Sequence, residues 1–67
     1  MNLDQMELIS NETDFRGWKT YTVKGPEEVI RFYFYNTTNL DLFDVAVLTL
    51  GNLEDTYEVT LIPKEQN

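Results

Sequence analysis

Hydrophobic and polar positions alternate most clearly over residues 29–35, Val-Ile-Arg-Phe-Tyr-Phe-Tyr. β-branched and aromatic side chains dominate this run and turn-forming residues flank it, which predicts a strand. Successive strand side chains point to opposite faces, so Ile30, Phe32 and Phe34 would form the core face and Val29, Arg31, Tyr33 and Tyr35 the reverse. Residues 18–23, Trp-Lys-Thr-Tyr-Thr-Val, are also strand-like, and Gly25 and Pro26 between the two runs would reverse the chain into an antiparallel hairpin. Residues 57–62 alternate again until Pro63, which lacks the N–H that would extend a ladder, and so predict a third strand.

The architecture then depends on residues 39–51, which support two readings. Wound at 100° per residue, Leu42, Phe43, Ala46, Val47 and Leu50 gather on one stripe, with Asp41, Asp44 and Thr49 opposite. Thr38 to Asp41 fits a capped helix start and Gly51-Asn52 a left-handed stop, so the preferred reading is a helix over 39–50. Phe43, Val45, Val47 and Thr49 also recur at period two, which would instead give a hairpin turning at residues 51–55. The expected fold class is α+β: a small, mostly antiparallel sheet of three to four strands with one helix on one face, in the order β-β-α-β. The alternative is an all-β four-stranded sheet. Residues 1–16 carry no clear assignment, 11–14 read as a loop, and Phe15 and Trp18 would anchor the entry to the first hairpin.

Length and charge narrow the range of functions. Sixty-seven residues allow one core, and a domain this short buries only about 60% of the surface its unfolded chain exposes. Hydrophobic residues make up 42% of the chain, enough to expect folding despite the charge. Twelve acidic residues against five basic ones leave a net charge of -7. A phosphate backbone is bound by Lys and Arg that displace its counterions, so direct nucleic-acid binding is not expected, nor is docking on an anionic membrane. A basic protein surface is the complementary partner. With no Cys, no basic leader and no apolar run of membrane length, a cytoplasmic setting is expected.

The inventory for catalysis is sparse. The chain has neither His nor Cys, which removes the commonest proton shuttle and metal ligand and the strongest nucleophile. Neither Glu27-Glu28 nor Glu54-Asp55 has calcium-loop spacing, and Asp41 and Asp44 on a helical turn would complement the helix N-terminus. No catalytic residue, metal or cofactor is therefore expected. The surface offers more. On the strand reading, Tyr33 and Tyr35 beside Arg31 form a docking patch, because Tyr combines a large apolar ring with a hydroxyl at low entropic cost. On the helix reading, Val45 and Leu48 are apolar insets beside Asp41 and Asp44, with Glu27 and Glu28 as further acidic contacts.

The order hairpin, helix, strand resembles that of the small early proteins of tailed phages, the group that includes inhibitors of bacterial RNA polymerase. The likeness covers residues 15–64: Trp18 opens the first strand, Phe34-Tyr35-Asn36-Thr37-Thr38 leads into the helix, Ala46 lies inside it, and residues 57–63 close the chain. The resemblance implies a compact sheet with one helix that docks on a host nucleic-acid enzyme through acidic residues, here Asp41, Asp44, Glu27 and Glu28. Leu61 and Pro63 stand where the family carries docking arginines. The expected function is thus an acidic protein-binding protein that inhibits or modulates a host enzyme by occupying its basic surface. The alternative is an accessory protein that forms a homodimer or larger oligomer through its sheet edge or Tyr face.

Overall fold

The computed structural model describes residues 5–50 and 55–64. Four strands, β1 (Glu7–Thr13), β2 (Lys19–Lys24), β3 (Phe43–Thr49) and β4 (Thr56–Pro63), form one antiparallel sheet in the order β1-β2-β4-β3. One helix, α1 (Glu27–Thr37), connects β2 to β3 and packs on one face. The chain therefore runs β-β-α-β-β. It belongs to the α+β class read from the sequence, with the helix and one of the strands exchanged along the chain.

The first correction concerns residues 29–35, which are helical. Pro26 sits at the N-cap with φ -64°, and Glu27 and Glu28 occupy the first turn, where carboxylates meet the positive end of the helix dipole. Arg31 Nε donates to Glu27 Oε2 at 2.7 Å, one turn apart. Val29, Ile30 and Phe34 are buried and Tyr33 half-buried, which together give the three- and four-residue spacing of a helix stripe, whereas Phe32 is exposed. The strand reading had placed Phe32 in the core beside Ile30 and Phe34. Side chains stop the helix: Asn36 Nδ2 donates to the Phe32 carbonyl at 2.7 Å and Thr37 Oγ1 to the Tyr33 carbonyl at 2.8 Å.

The second correction concerns residues 39–50, where the preferred helix is replaced by the hairpin alternative. Asn39 Oδ1 accepts the Asp41 amide at 3.0 Å in a turn, and β3 begins at Phe43. As a strand, Phe43, Val45 and Val47 all point at the core, and each faces a β4 residue, Pro63, Leu61 and Val59. A helix would have carried Val45 away from that stripe. The segment 29–35 is consequently not β2's hairpin partner; β2 lies between β1 and β4.

The remaining strand, β1, accounts for residues that the sequence left unassigned. It extends through Thr13, so Asn11 to Thr13, read as loop, are strand. Its register with β2 shifts between Leu8 and Ser10, a bulge that bends this edge. Asp14 closes the β1–β2 turn: its Oδ1 accepts the amides of Arg16 and Trp18 at 2.9 and 3.1 Å, and Gly17 turns at φ +81°.

The core lies between the sheet and α1. Val23, Ile30, Phe34, Val59 and Leu61 form it, with Tyr21, Tyr33, Phe43, Val45, Val47 and Tyr57 partly buried around them. Phe34 is its hinge: Tyr21 lies 5.4 Å from its ring and Tyr33 meets it edge-on at 5.1 Å. Fully burying each such side chain contributes about 1.5–3 kcal/mol, so five of them dominate the stability of so small a fold.

Candidate interaction surface

A single helix covers a single face, and strand alternation then fixes what the other face displays. On the covered side, the cross-strand rows Tyr21–Val59–Val47 and Lys19–Leu61–Val45 carry the apolar side chains. The residues between them point away from α1. They form three rows, Glu12–Thr20–Thr60–Ala46, Ser10–Thr22–Glu58–Leu48 and Glu7–Lys24–Thr56, with Asp44 and Ile62 as a further pair. The molecule extends only 15 Å along its shortest axis, so no second layer covers this face among the described residues.

The chemistry of this face is specific. Threonines and Ser10 give it a low, hydroxyl-rich floor, with Ala46 and half-buried Ile62 between them and Leu48 standing out at 61% exposure. Glu7, Glu12, Glu58 and Asp44 supply negative charge against one cation in these rows, Lys24. Asp44 has a loose partner in Lys64, with Nζ 3.7 Å from Oδ1; Glu12 and Glu58 form no ion pair among the described residues. Two further cations are taken up elsewhere, Arg16 by Asp14 and Arg31 by Glu27, each at 2.7 Å. The face is therefore flat, polar and negative.

The residues singled out from the sequence do not form one site. Glu27 and Glu28 lie at the exposed start of α1, and Arg31 is drawn to Glu27. That hydrogen bond, with the nearby charge, holds the Arg31 guanidinium above even its usual high pKa. Tyr33 and Tyr35, expected side by side on a strand, diverge because two residues along a helix turn about 200°. Tyr33 is half-buried against Phe34, while Tyr35 is exposed and donates its hydroxyl to the Val45 carbonyl at 3.3 Å. The two rings thus do not form one patch, although Tyr35 lies beside Arg31, one helical turn away. Asp41 sits in the exposed turn before β3, and Asp44 and Leu48 are on the open face of β3 while Val45 points to the core side. Of the nine residues, only Asp44 and Leu48 belong to the uncovered surface.

Glu12, Glu58 and the threonines of β2 and β4 were missed. The alternation of residues 57–62 and 19–24 already separated Tyr57, Val59 and Leu61 from Glu58, Thr60 and Ile62. What it lacked was the pairing that brings Glu12 of β1 into the same rows. Among the described residues no group of three His, Cys, Asp or Glu could hold a metal ion, and no helix is long and apolar enough to cross a membrane. No protein-family model, curated protein or solved structure matches this chain.

Proposed function

We propose that this chain is a small acidic protein-binding domain that lays the uncovered face of its sheet against a basic surface of a partner protein. One observation carries the reading. Glu7, Glu12, Glu58 and Asp44 stand on a polar face around Leu48 and Ile62 and outnumber the one cation of its rows, Lys24, while Lys64 is turned to Asp44. A face of this kind steers toward positive potential and needs few conformational changes to dock, because its carboxylates are fixed on strands. Basic protein surfaces commonly serve to hold nucleic acid. A domain that occupies one excludes the nucleic acid by competition, which is the inhibitor role implied by the resemblance to phage early proteins, in a cytoplasmic setting.

The test is capture from a bacterial lysate by the immobilised chain at about 0.05 M and about 0.5 M salt, beside the variant Glu12→Lys/Asp44→Lys/Glu58→Lys, because charge on exposed surfaces is screened over about 10 Å at 0.1 M. A basic protein retained at low salt, released at high salt and absent from the variant supports the proposal. Retention that neither salt nor the variant changes overturns it.

A second reading is favoured by β1, whose seven residues are all exposed at a sheet edge. Pairing of β1 with β1 of a second copy would satisfy that edge. Sedimentation at two concentrations separates the readings: a dimer abolished by Ile9→Pro favours self-association, and a monomer across the range favours the docking face.

A further inference from the structure

The second uncovered region lies on the other side of the sheet. Helix α1 packs over β4, β3 and the inner part of β2, and stops short of β1. A groove of about 390 Å³ remains between the helix and the β1–β2 hairpin. Met6, Leu8, Tyr21 and Phe43 supply its apolar walls together with the rings of Tyr33 and Phe34, Thr38 and Asn39 also line it, and Lys19 is the one charged group among its described residues.

The charge pattern of this groove is opposite to that of the chain. Twelve carboxylates are spread over sixty-seven residues, yet none of those on the described residues lines it. Lys19 projects on the covered side of the sheet, in register with Leu61, and its ammonium lies 5.7 Å from the centre of the Phe43 ring. Of the five basic residues, Arg16, Arg31 and Lys64 each have a carboxylate partner; Lys19 and Lys24 have none among the described residues, and of these two only Lys19 is on the covered side of the sheet. A cation held beside aromatic rings, in a concavity whose described lining has no acid, retains its attraction for an anion that the rest of this surface repels. Ligand sites combine apolar walls with one or two fixed polar groups in this way, and a volume near the lower end of their range suits a small ligand.

We infer that the helix–hairpin groove binds a small anionic amphiphile: an aliphatic carboxylate of about eight carbons, its chain against Leu8, Met6 and Tyr21 and its carboxylate on Lys19, with Thr38 and Asn39 within the same mouth. This site is on the opposite side of the sheet from the acidic face and stands or falls independently of it.

Octanoate is the probe, titrated into the isotopically labelled full chain and followed by amide chemical shifts. Saturable shifts are expected at Leu8, Lys19, Tyr21, Thr38 and Phe43 and not at Thr22, Glu58 or Ala46, with a dissociation constant on the order of 10⁻³ M, as befits a ligand of this size. Octan-1-ol should bind more weakly by up to about fivefold, since a single partly exposed charge pair contributes up to about 1 kcal/mol, and octyltrimethylammonium, repelled by Lys19, more weakly still. Lys19→Met should erase the preference for octanoate over octan-1-ol while Lys19→Arg keeps it, and the spectra themselves report that both variants remain folded. Shifts that stay linear up to about ten times that concentration, shifts centred on the open face, or an octanoate preference that survives Lys19→Met would each overturn the assignment.

Discussion

The Tyr35 hydroxyl of α1 donates a hydrogen bond to the main-chain carbonyl of Val45 in β3 at 3.3 Å. β3 has β4 on one side only, so its other edge carries backbone groups with no strand to receive them. Tyr35 reaches one of these from the helix and lays its ring beside the edge. This single contact ties together the two segments whose secondary structure the sequence exchanged, and it blunts an edge that would otherwise offer itself to another chain.

Tyr35→Phe should therefore cost little stability, about 0.5–1 kcal/mol, because Val45 can turn to water instead. Its larger effect should be on association. Light scattering at rising concentration is expected to show more self-assembly than in the parent chain, and identical profiles would remove the edge-guarding role.

Ile30 is the helix residue at the centre of the core, with no exposed surface. Ile30→Ala should lower stability by about 2–4 kcal/mol through lost burial and the cavity left behind. Total stability of domains is about 5–15 kcal/mol and small folds lie at the low end, so urea denaturation should show a midpoint moved far toward zero. Phe32→Ala, at an exposed position two residues on, should move it by less than about 1 kcal/mol.

Gly25 has φ +149°, and a Cβ built there would lie 2.7 Å from the Gln5 carbonyl oxygen and 3.2 Å from the Met6 Cα. Both obstacles are backbone, which cannot swing aside. Its amide also donates to the Asp55 carbonyl at the β2–β4 end of the sheet. Gly25→Ala should destabilise by about 1–3 kcal/mol from the backbone conformation, with the clash adding to it, read from thermal unfolding. Gly17→Ala meets ordinary contact with Pro63 at 3.7 Å and should be the milder change, limited to the strain of φ +81°.

Asp14 is held below the ordinary aspartate range, chiefly by its side-chain hydrogen bond with Arg16, with the Arg16 and Trp18 amides adding to the effect against a smaller cost of burial. A carboxylate whose folded pKa is depressed contributes stability above its unfolded value, and that contribution disappears as pH falls through the lowered one. Unfolding measured from neutral pH down through the acid range should show this loss for the parent chain and its absence for Asp14→Asn. A titration of the Asp14 carboxyl by NMR that gives an ordinary value would count against the assignment. Arg31 is raised rather than lowered, so its own ionisation adds stability below its unfolded value while Glu27 is charged, and that contribution is lost as pH rises through the folded value.

Much of the sheet could be read along the chain. Residues 19–24 and 57–63 alternate as strands, and their core residues Tyr21, Val23, Val59 and Leu61 follow from parity alone. The helix at 27–37 had signals of its own: Pro26-Glu27-Glu28 at the start, Glu27 and Arg31 one turn apart, and Val29, Ile30, Tyr33 and Phe34 at helical spacing. Those signals lost to the β propensity of Val, Ile, Phe and Tyr, which measures how a side chain fits a half-buried pleat and not what the backbone must do.

The candidate surfaces were less legible than the fold. Glu12 and Glu58 are forty-six positions apart and share a face only because β2 pairs with both of their strands. Lys19 gains its significance from what surrounds it, a groove whose described lining has no acid and which exists because one short helix cannot cover four strands. By contrast, the expectation that Tyr33 and Tyr35 would act together followed from period two, and on a helix about 200° of rotation separates them.

The sequence by itself determined the α+β class, the two inner strands, the excess of negative charge and the lack of imidazole and thiol. Those follow from local periodicity and composition, which a single chain carries at every position. Only the tertiary structure decided which of two amphipathic segments became the helix and which the edge strand. Both segments could satisfy either period, and the choice fell to the arrangement in which Phe43, Val45 and Val47 of β3 and Ile30 and Phe34 of α1 all reach one core.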